Sequence, residues 1–159
     1  MLENRIPTHG EDFTGTIVDA LATILKETRY IKSCLLYESV EKWHEIDVSS
    51  IPQQFQHIRF EFVQNVKNAA FPEGKFDVIA IPLLGFNEEG YRLGHGGGWY
   101  DRFLATQPHA LKIGVGYESA LVKFEPDAHD MPMDIVLTEL KTRYFRDNSS
   151  HLKGIEHLT

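Results

Sequence analysis

Between positions 92 and 102 the chain reads Arg92-Leu93-Gly94-His95-Gly96-Gly97-Gly98-Trp99-Tyr100-Asp101-Arg102, a glycine-rich loop with charged residues at both ends. Glycines at 94, 96, 97 and 98 let backbone N–H groups converge with no Cβ in the way. A helix starting just after them would add the partial positive charge of its N-terminus, and the combination suits a phosphate group. Arg92 supplies a fixed cation beside that cradle. A plain turn joining strand to helix accounts for the same glycine count. Neither standard nucleotide pattern settles the matter: the loop is GxGGG rather than G-x-G-x-x-G followed by an acidic residue, and no Gly-Lys-Ser/Thr occurs. On spacing alone both readings stay open.

Asp101 falls in the first turn of the expected helix, where a carboxylate stabilises the positive end even if it binds nothing. Beside a triphosphate it would suit Mg²⁺, which keeps several waters and takes one or two protein carboxylates. Asp130 is the natural second ligand, in the acidic loop Glu125-Pro126-Asp127-Ala128-His129-Asp130-Met131-Pro132-Met133-Asp134. As an isolated motif that loop also reads as a surface turn. His129 and His95 are further candidates for ligand or base, although isolated His-Asp pairs are common. The string His95-Gly96-Gly97-Gly98 also matches the oxyanion loop of lipase-type hydrolases. No serine sits in the G-x-S-x-G elbow such an enzyme needs, Ser119 in Gly116-Tyr117-Glu118-Ser119-Ala120 being the nearest, so a hydrolase is set aside.

These residues need elements to position them. Thr16-Ile17-Val18-Asp19 reads as a capping box, and Ile17, Ala20, Leu21, Ile24 and Leu25 recur at helical spacing, which predicts a helix over Thr16 to Glu27. Short runs rich in branched and aromatic residues predict strands at Ser33 to Tyr37, His57 to Val63, Asp77 to Phe86, Lys112 to Tyr117 and Ile135 to Thr138. Asp77 to Phe86 is almost continuously apolar, as a strand covered on both faces would be, and so marks the sheet centre. Helices are expected at Ser49 to Gln56, Trp99 to Thr106 and Ser119 to Val122. The alternation gives a layered α/β domain over 1–146, followed by a polar tail over 147–159.

Composition narrows the function. The chain has 159 residues, 42% of them hydrophobic and 25% charged, ordinary values for one packed domain. A net charge of -7 with no basic cluster argues against nucleic acid as a partner. No apolar run approaches the ~20 residues of a membrane helix, and the polar, acidic opening is unlike an export signal. The single cysteine, Cys34, lies in an apolar strand-like run and is expected to be buried and inert, which fits a reducing cytoplasm.

Arg92-Leu93-Gly94-x-Gly-x-Gly-x-Tyr100-Asp101-Arg102, with Pro82-Leu83-Leu84-Gly85-Phe86 before it, resembles the signature of 5-formyltetrahydrofolate cyclo-ligases, also called methenyltetrahydrofolate synthetases. The resemblance continues through Ala110 to Tyr117 and the His129 to Asp134 loop. It thins upstream, where Leu35-Leu36-Tyr37 and Glu45-Ile46-Asp47 are similar to the family's first strand and its Gly-Glu-x-x-Thr segment, with His44 in place of the glycine. It implies a three-layer α/β/α fold with a mostly parallel central sheet, of the kind shared with ribose-5-phosphate isomerases and CoA transferases. It also implies ATP, Mg²⁺ and a reduced folate as ligands, in the one-carbon metabolism of the cytoplasm. On this mapping Arg92 and Gly94, His95, Gly96, Gly97, Gly98, Trp99 and Tyr100 surround the phosphates. Asp101 and Asp130 hold the metal, Arg92, Tyr100 and Asp101 serve catalysis, and Glu45 faces the folate.

The chain also departs from the family pattern. Only Arg5 precedes the Thr16 helix where the family has a basic helix, the stretch Gln64 to Phe76 is short, and Trp99 replaces the first of two tyrosines. Two functional expectations follow. One is an ATP- and Mg²⁺-dependent cyclisation of 5-formyltetrahydrofolate to 5,10-methenyltetrahydrofolate by a monomer or small homo-oligomer. The other is a catalytically impaired relative that holds a nucleotide or another phosphate ligand in a binding or regulatory role.

Overall fold

The computed structural model describes residues 13–64, 69–93 and 98–145. The polar tail expected over 147–159 and the loop residues Gly94, His95, Gly96 and Gly97 lie outside them.

The first helix, α1, spans Thr14–Glu27 and buries Ile17, Val18, Leu21, Ala22, Ile24 and Leu25 along one stripe. Its start differs from the expected capping box. Phe13 is the N-cap, no side chain caps the helix, and Ile17 N–H already donates to Phe13 C=O at 3.2 Å. Thr16 therefore lies inside the first turn, where its backbone is helical and its hydroxyl cannot act as an N-cap acceptor.

Six strands form the main sheet: β1 (Ser33–Tyr37), β2 (Arg59–Val63), β3 (Val78–Pro82), β6 (Leu111–Val115), β7 (Ile135–Leu137) and β8 (Thr142–Tyr144), in the order β2-β1-β3-β6-β7-β8. Every neighbouring pair is parallel except β7–β8, so the expected mostly parallel sheet is observed. β3, β6 and β7 are buried throughout, which explains why they read as continuous apolar runs. The pleat sends alternate residues to opposite faces. Cys34, Leu36, Val78, Ala80, Ile113, Ile135 and Leu137 pack with the α1 stripe. Leu35, Ile79, Ile81 and Val136 pack on the other side with the second helix, α2 (Trp99–Ala105), through Phe103 and Leu104. The result is three layers, with helix on each face of the sheet.

Three expected elements are altered. The run Asp77 to Phe86 is not one strand: β3 stops at Pro82 and the chain leaves the sheet. It then forms a hairpin of β4 (Gly85–Phe86) and β5 (Arg92–Leu93). The stretches at 49–56 and 119–122 are single 3-10 turns, Ile51–Gln54 and Glu118–Ala120, too short to present a helical stripe to the core. Strand β8 has three residues and a mostly polar sequence, so it gives no periodic signal of its own.

Candidate functional site

In the parallel part of the sheet the chain moves one way from β1 to β2 and the other way from β1 to β3. In open α/β sheets such a reversal marks the place, beyond the carboxyl ends of the flanking strands, here β1 and β3, where ligands bind. The segment leaving β1 carries Glu45, and the segment leaving β3 carries Arg92.

Arg92 is set by the hairpin. Asn87 ties the turn: its Oδ1 accepts the N–H groups of Glu89 and Tyr91, each at 3.0 Å, and its Nδ2 donates to Phe124 C=O at 3.3 Å. Gly90 turns the chain at φ +94, and its carbonyl accepts Met133 N–H at 2.8 Å. Arg92 then pairs with Phe86 in the ladder and is only 8% exposed. Its guanidinium lies 5.0 Å from the centre of the Tyr100 ring. Its Nε is buried with no hydrogen-bond partner among the described residues. Burial pulls the Arg92 pKa down, while Tyr100, Asp101, Asp130 and Glu45 pull it up. The cation is thus dehydrated and faced by acidic groups, with one donor left over.

Asp101 and Asp130 come together. Met131 N–H donates to Asp101 Oδ1 at 3.1 Å, which fastens the acidic loop to the first turn of α2. Burial raises the Asp101 pKa, the Met131 bond and Arg92 lower it, and Asp130 raises it again. Two carboxylates that feel each other's charge, one half-buried, make an oxygen donor set of the kind Mg²⁺ takes. Asp127, His129 and Asp130 also place one ligand atom each within 4.8 Å of one another. Asp127 does not figure in the sequence-derived metal pair. Its closeness to Asp130 comes from the turn in which Asp130 N–H bonds Asp127 C=O at 3.0 Å and Asp127 N–H bonds Asp130 Oδ2 at 2.8 Å.

Glu45 joins the same field. Its Oε1 accepts Val40 N–H at 2.8 Å, and burial raises its pKa while that bond and Arg92 lower it. Tyr37, at the end of β1, donates its hydroxyl to Ile46 C=O at 2.6 Å and so fixes the Glu45 segment. Its pKa is driven up by burial first and then by Glu45, Tyr100, Asp47 and Tyr117. The sequence does not single out Tyr37 and Tyr117, because only the parallel pairing of β1 and β6 with β3 brings the ends of these strands to the same edge of the sheet.

The remaining expected residues divide. Tyr100 lies under Arg92, and burial drives its pKa well up, so it stays a neutral phenol. Gly98 is the N-cap of α2 at φ +64. The Trp99 indole packs among Phe71, Tyr100 and Phe103 and donates to Ala69 C=O at 2.9 Å.

The sequence profile of the 5-formyltetrahydrofolate cyclo-ligase family matches residues 32–139. A cyclo-ligase of Mycoplasma pneumoniae is 29% identical over 135 residues, 75% of this chain and 80% of that protein. One from Mycoplasma genitalium is 33% identical over 90 residues, and one from Escherichia coli K12 is 41% identical over 73. The chain spans 54% of the Mycoplasma genitalium protein and 40% of the Escherichia coli one. Among solved structures, a 5,10-methenyltetrahydrofolate synthetase from Mycoplasma pneumoniae superposes with TM-score 0.67 at 28% identity, covering 79% of this chain and 84% of that one. The synthetase from Aquifex aeolicus gives 0.66 at 25% identity, covering 86% and 82%.

Proposed function

The chain belongs to the 5-formyltetrahydrofolate cyclo-ligase family, and on that premise we propose that it converts 5-formyltetrahydrofolate to 5,10-methenyltetrahydrofolate at the expense of ATP, releasing ADP and phosphate. The observation that carries this reading is Arg92, a buried guanidinium with an unpartnered Nε, set among Tyr100, Asp101, Asp130 and Glu45. An unsatisfied buried donor costs about 1–3 kcal/mol, and it is retained where a ligand completes it. A phosphate oxygen is the natural complement of a guanidinium.

In this reading Arg92 and the glycine loop bind the phosphates. Asp101 and Asp130 would hold Mg²⁺, which when bound neutralises charge on the transferred phosphoryl group. Glu45, on the segment leaving β1, orients the folate. The formyl oxygen is a poor leaving group until it becomes a phosphate ester. Nitrogen N10 then attacks the activated carbon, the ring closes and phosphate departs. The protein contributes position and charge, and Tyr100 stays a neutral donor throughout.

The test is an assay of purified protein with 5-formyltetrahydrofolate, ATP and Mg²⁺, following the near-ultraviolet absorbance of the methenyl product. Binding of ATP and inorganic triphosphate, each with Mg²⁺, is titrated in parallel. Product together with a strong preference for ATP supports the cyclo-ligase. Affinities matched within about tenfold, a gap below ~1.4 kcal/mol, without product would instead establish a phosphate-binding or regulatory relative.

A further inference from the structure

Arg92 is carried by a small sheet separate from the main one. Phe86 lies in its middle: on one side it pairs with Arg92, and on the other it forms a parallel bridge to Leu121, with Val122 N–H donating to Phe86 C=O at 2.8 Å. Leu121 and Val122 continue from the 3-10 turn Glu118–Ala120, and Glu118 ties that turn down. Its carboxylate accepts Arg143 Nη1–H at 2.8 Å, Arg143 Nη2–H at 2.5 Å and the Thr138 hydroxyl at 2.7 Å. Its own N–H donates to Glu139 Oε1 at 2.9 Å.

Arg143, on β8, reaches the hairpin as well. Its guanidinium lies 5.2 Å from the centre of the Phe86 ring, which is fully buried. Hydrogen bonds to Glu118 raise its pKa, burial lowers it, and the charges of Glu118 and of Glu88 in the hairpin turn raise it again. Two residues further on, Phe145 packs against the same turn so closely that a Cβ on Gly90 would stand 2.9 Å from its Cγ. The mostly polar end of the chain around β8 thus seats the hairpin at two points.

We propose that the Arg143–Glu118 pair is a positioning device: by fixing Phe86 and the turn Glu118–Ala120 to β8, it holds the β4–β5 hairpin where the Arg92 guanidinium is aimed at the phosphates. The inference rests on the phosphate-site reading of Arg92 given above. Two-residue strands have too few ladder bonds to hold a hairpin rigid by themselves, so its aim depends on what it is packed against. A two-pronged arginine–carboxylate pair fixes direction as well as distance, because two parallel N–H···O bonds set the angle between the partners. The two side chains keep 15% and 20% exposure, so water screens the pair and limits what it adds to overall stability.

The experiment compares the parent with Arg143→Met, Glu118→Gln and Arg92→Met, and with each of the first two combined with Arg92→Met. Two readouts are taken well below the melting temperature of every variant. One is the Arg92 Nε–H nuclear magnetic resonance of ligand-free protein, assigned by its loss in Arg92→Met; the other is affinity for inorganic triphosphate. In Arg143→Met and in Glu118→Gln the Arg92 signal should shift and exchange faster, and triphosphate affinity should fall about tenfold. In the Arg92→Met background the same substitutions should leave affinity unchanged, because no guanidinium remains to be aimed. Glu118→Gln separates aim from charge: deleting an anion strengthens anion binding through the field alone, whereas loss of aim weakens it. Stronger binding in Glu118→Gln, equal losses with and without Arg92, or an Arg92 signal unmoved in both variants would each overturn the proposal. If Arg143→Met does not fold, Glu118→Gln decides alone. A parent that binds no triphosphate, or binds it equally well as Arg92→Met, sinks the phosphate reading of Arg92, and the ligand-free signal still decides whether the pair positions the guanidinium.

Discussion

Met131 gives its backbone N–H to Asp101 Oδ1 at 3.1 Å, and this single bond joins the acidic loop carrying Asp130 to the helix that follows the glycine loop. Two carboxylates separated by a strand and two loops in sequence thereby share one electrostatic neighbourhood.

Asp101→Asn is expected to abolish Mg²⁺-dependent triphosphate binding while barely changing stability. Losing a first-turn carboxylate costs a helix only about 0.3–1 kcal/mol. Burial raises the Asp101 pKa in the folded protein. For a carboxyl shifted upward the stability contribution is present at low pH and lost as pH rises through the folded pKa, so the amide removes that loss. Metal binding runs the other way. It needs the carboxylate, and should weaken as pH falls through the raised pKa, beginning above the ~3.9 of an ordinary aspartate. Calorimetry and thermal melts across pH check both; equal metal-dependent affinity in mutant and parent would remove Asp101 from the metal site.

Arg92→Met should separate function from stability. Methionine can fill the space over Tyr100, and the unpartnered buried Nε disappears. The melting temperature is therefore expected to stay level or rise, while triphosphate affinity drops by tenfold or more, about 1.4 kcal/mol. A clear loss of stability with binding preserved would show that Arg92 serves the fold.

Gly90→Ala should be costly at a distance from the site. At φ +94 a side chain is strained, and a Cβ there would stand 2.9 Å from Phe145 Cγ. A loss of about 1–3 kcal/mol is expected by denaturant titration, with weaker triphosphate binding because the hairpin holds Arg92.

His44→Gly tests the backbone beside Glu45. His44 sits at φ 57 in the left-handed region, which costs a non-glycine residue about 1–2 kcal/mol. Glycine relieves that strain but loses more entropy on folding, so a net gain of up to about 1 kcal/mol is expected. His44→Val should destabilise. A denaturant midpoint lowered by glycine would contradict the argument.

Cys34 is fully buried on β1, and burial together with the nearby Asp77 pushes its thiol up to about 12. A thiol reagent at neutral pH is expected to label it only at the rate of unfolding, and Cys34→Ser to destabilise the fold without changing ligand binding. Rapid labelling of the native protein would disprove this burial.

Legibility in the sequence followed the range of the interactions. The α1 stripe, the apolar strands and the Trp99 helix were readable because side-chain periodicity is set by local backbone geometry. Ser33 to Tyr37 was read with its observed bounds for that reason. The start of α1 was misread because a threonine followed by an aspartate three residues later resembles a cap whether or not the backbone is already helical. The break at Pro82 was hidden because Leu83 and Phe86 are as apolar as the strand before them. Both are buried in the α2 layer; Leu83 still gives its N–H to Val115 C=O at 2.9 Å, whereas Phe86 pairs with Arg92 in the hairpin.

The sequence by itself determined the family, the parallel α/β class and the chemical types at the site, since the Arg92 to Arg102 motif and the acidic loop are each continuous in the chain. Only the tertiary structure decided that Glu45, Arg92, Tyr100, Asp101 and Asp130 share one electrostatic field, that Tyr37 fixes the Glu45 segment, and that the Trp99 indole is bonded to Ala69. Those relationships depend on strand order, on the reversal between β1 and β3, and on the bond from Met131 to Asp101. Sheet pairing and loop docking act between residues far apart in the chain, and no local pattern of polarity encodes which distant partner a backbone N–H will find.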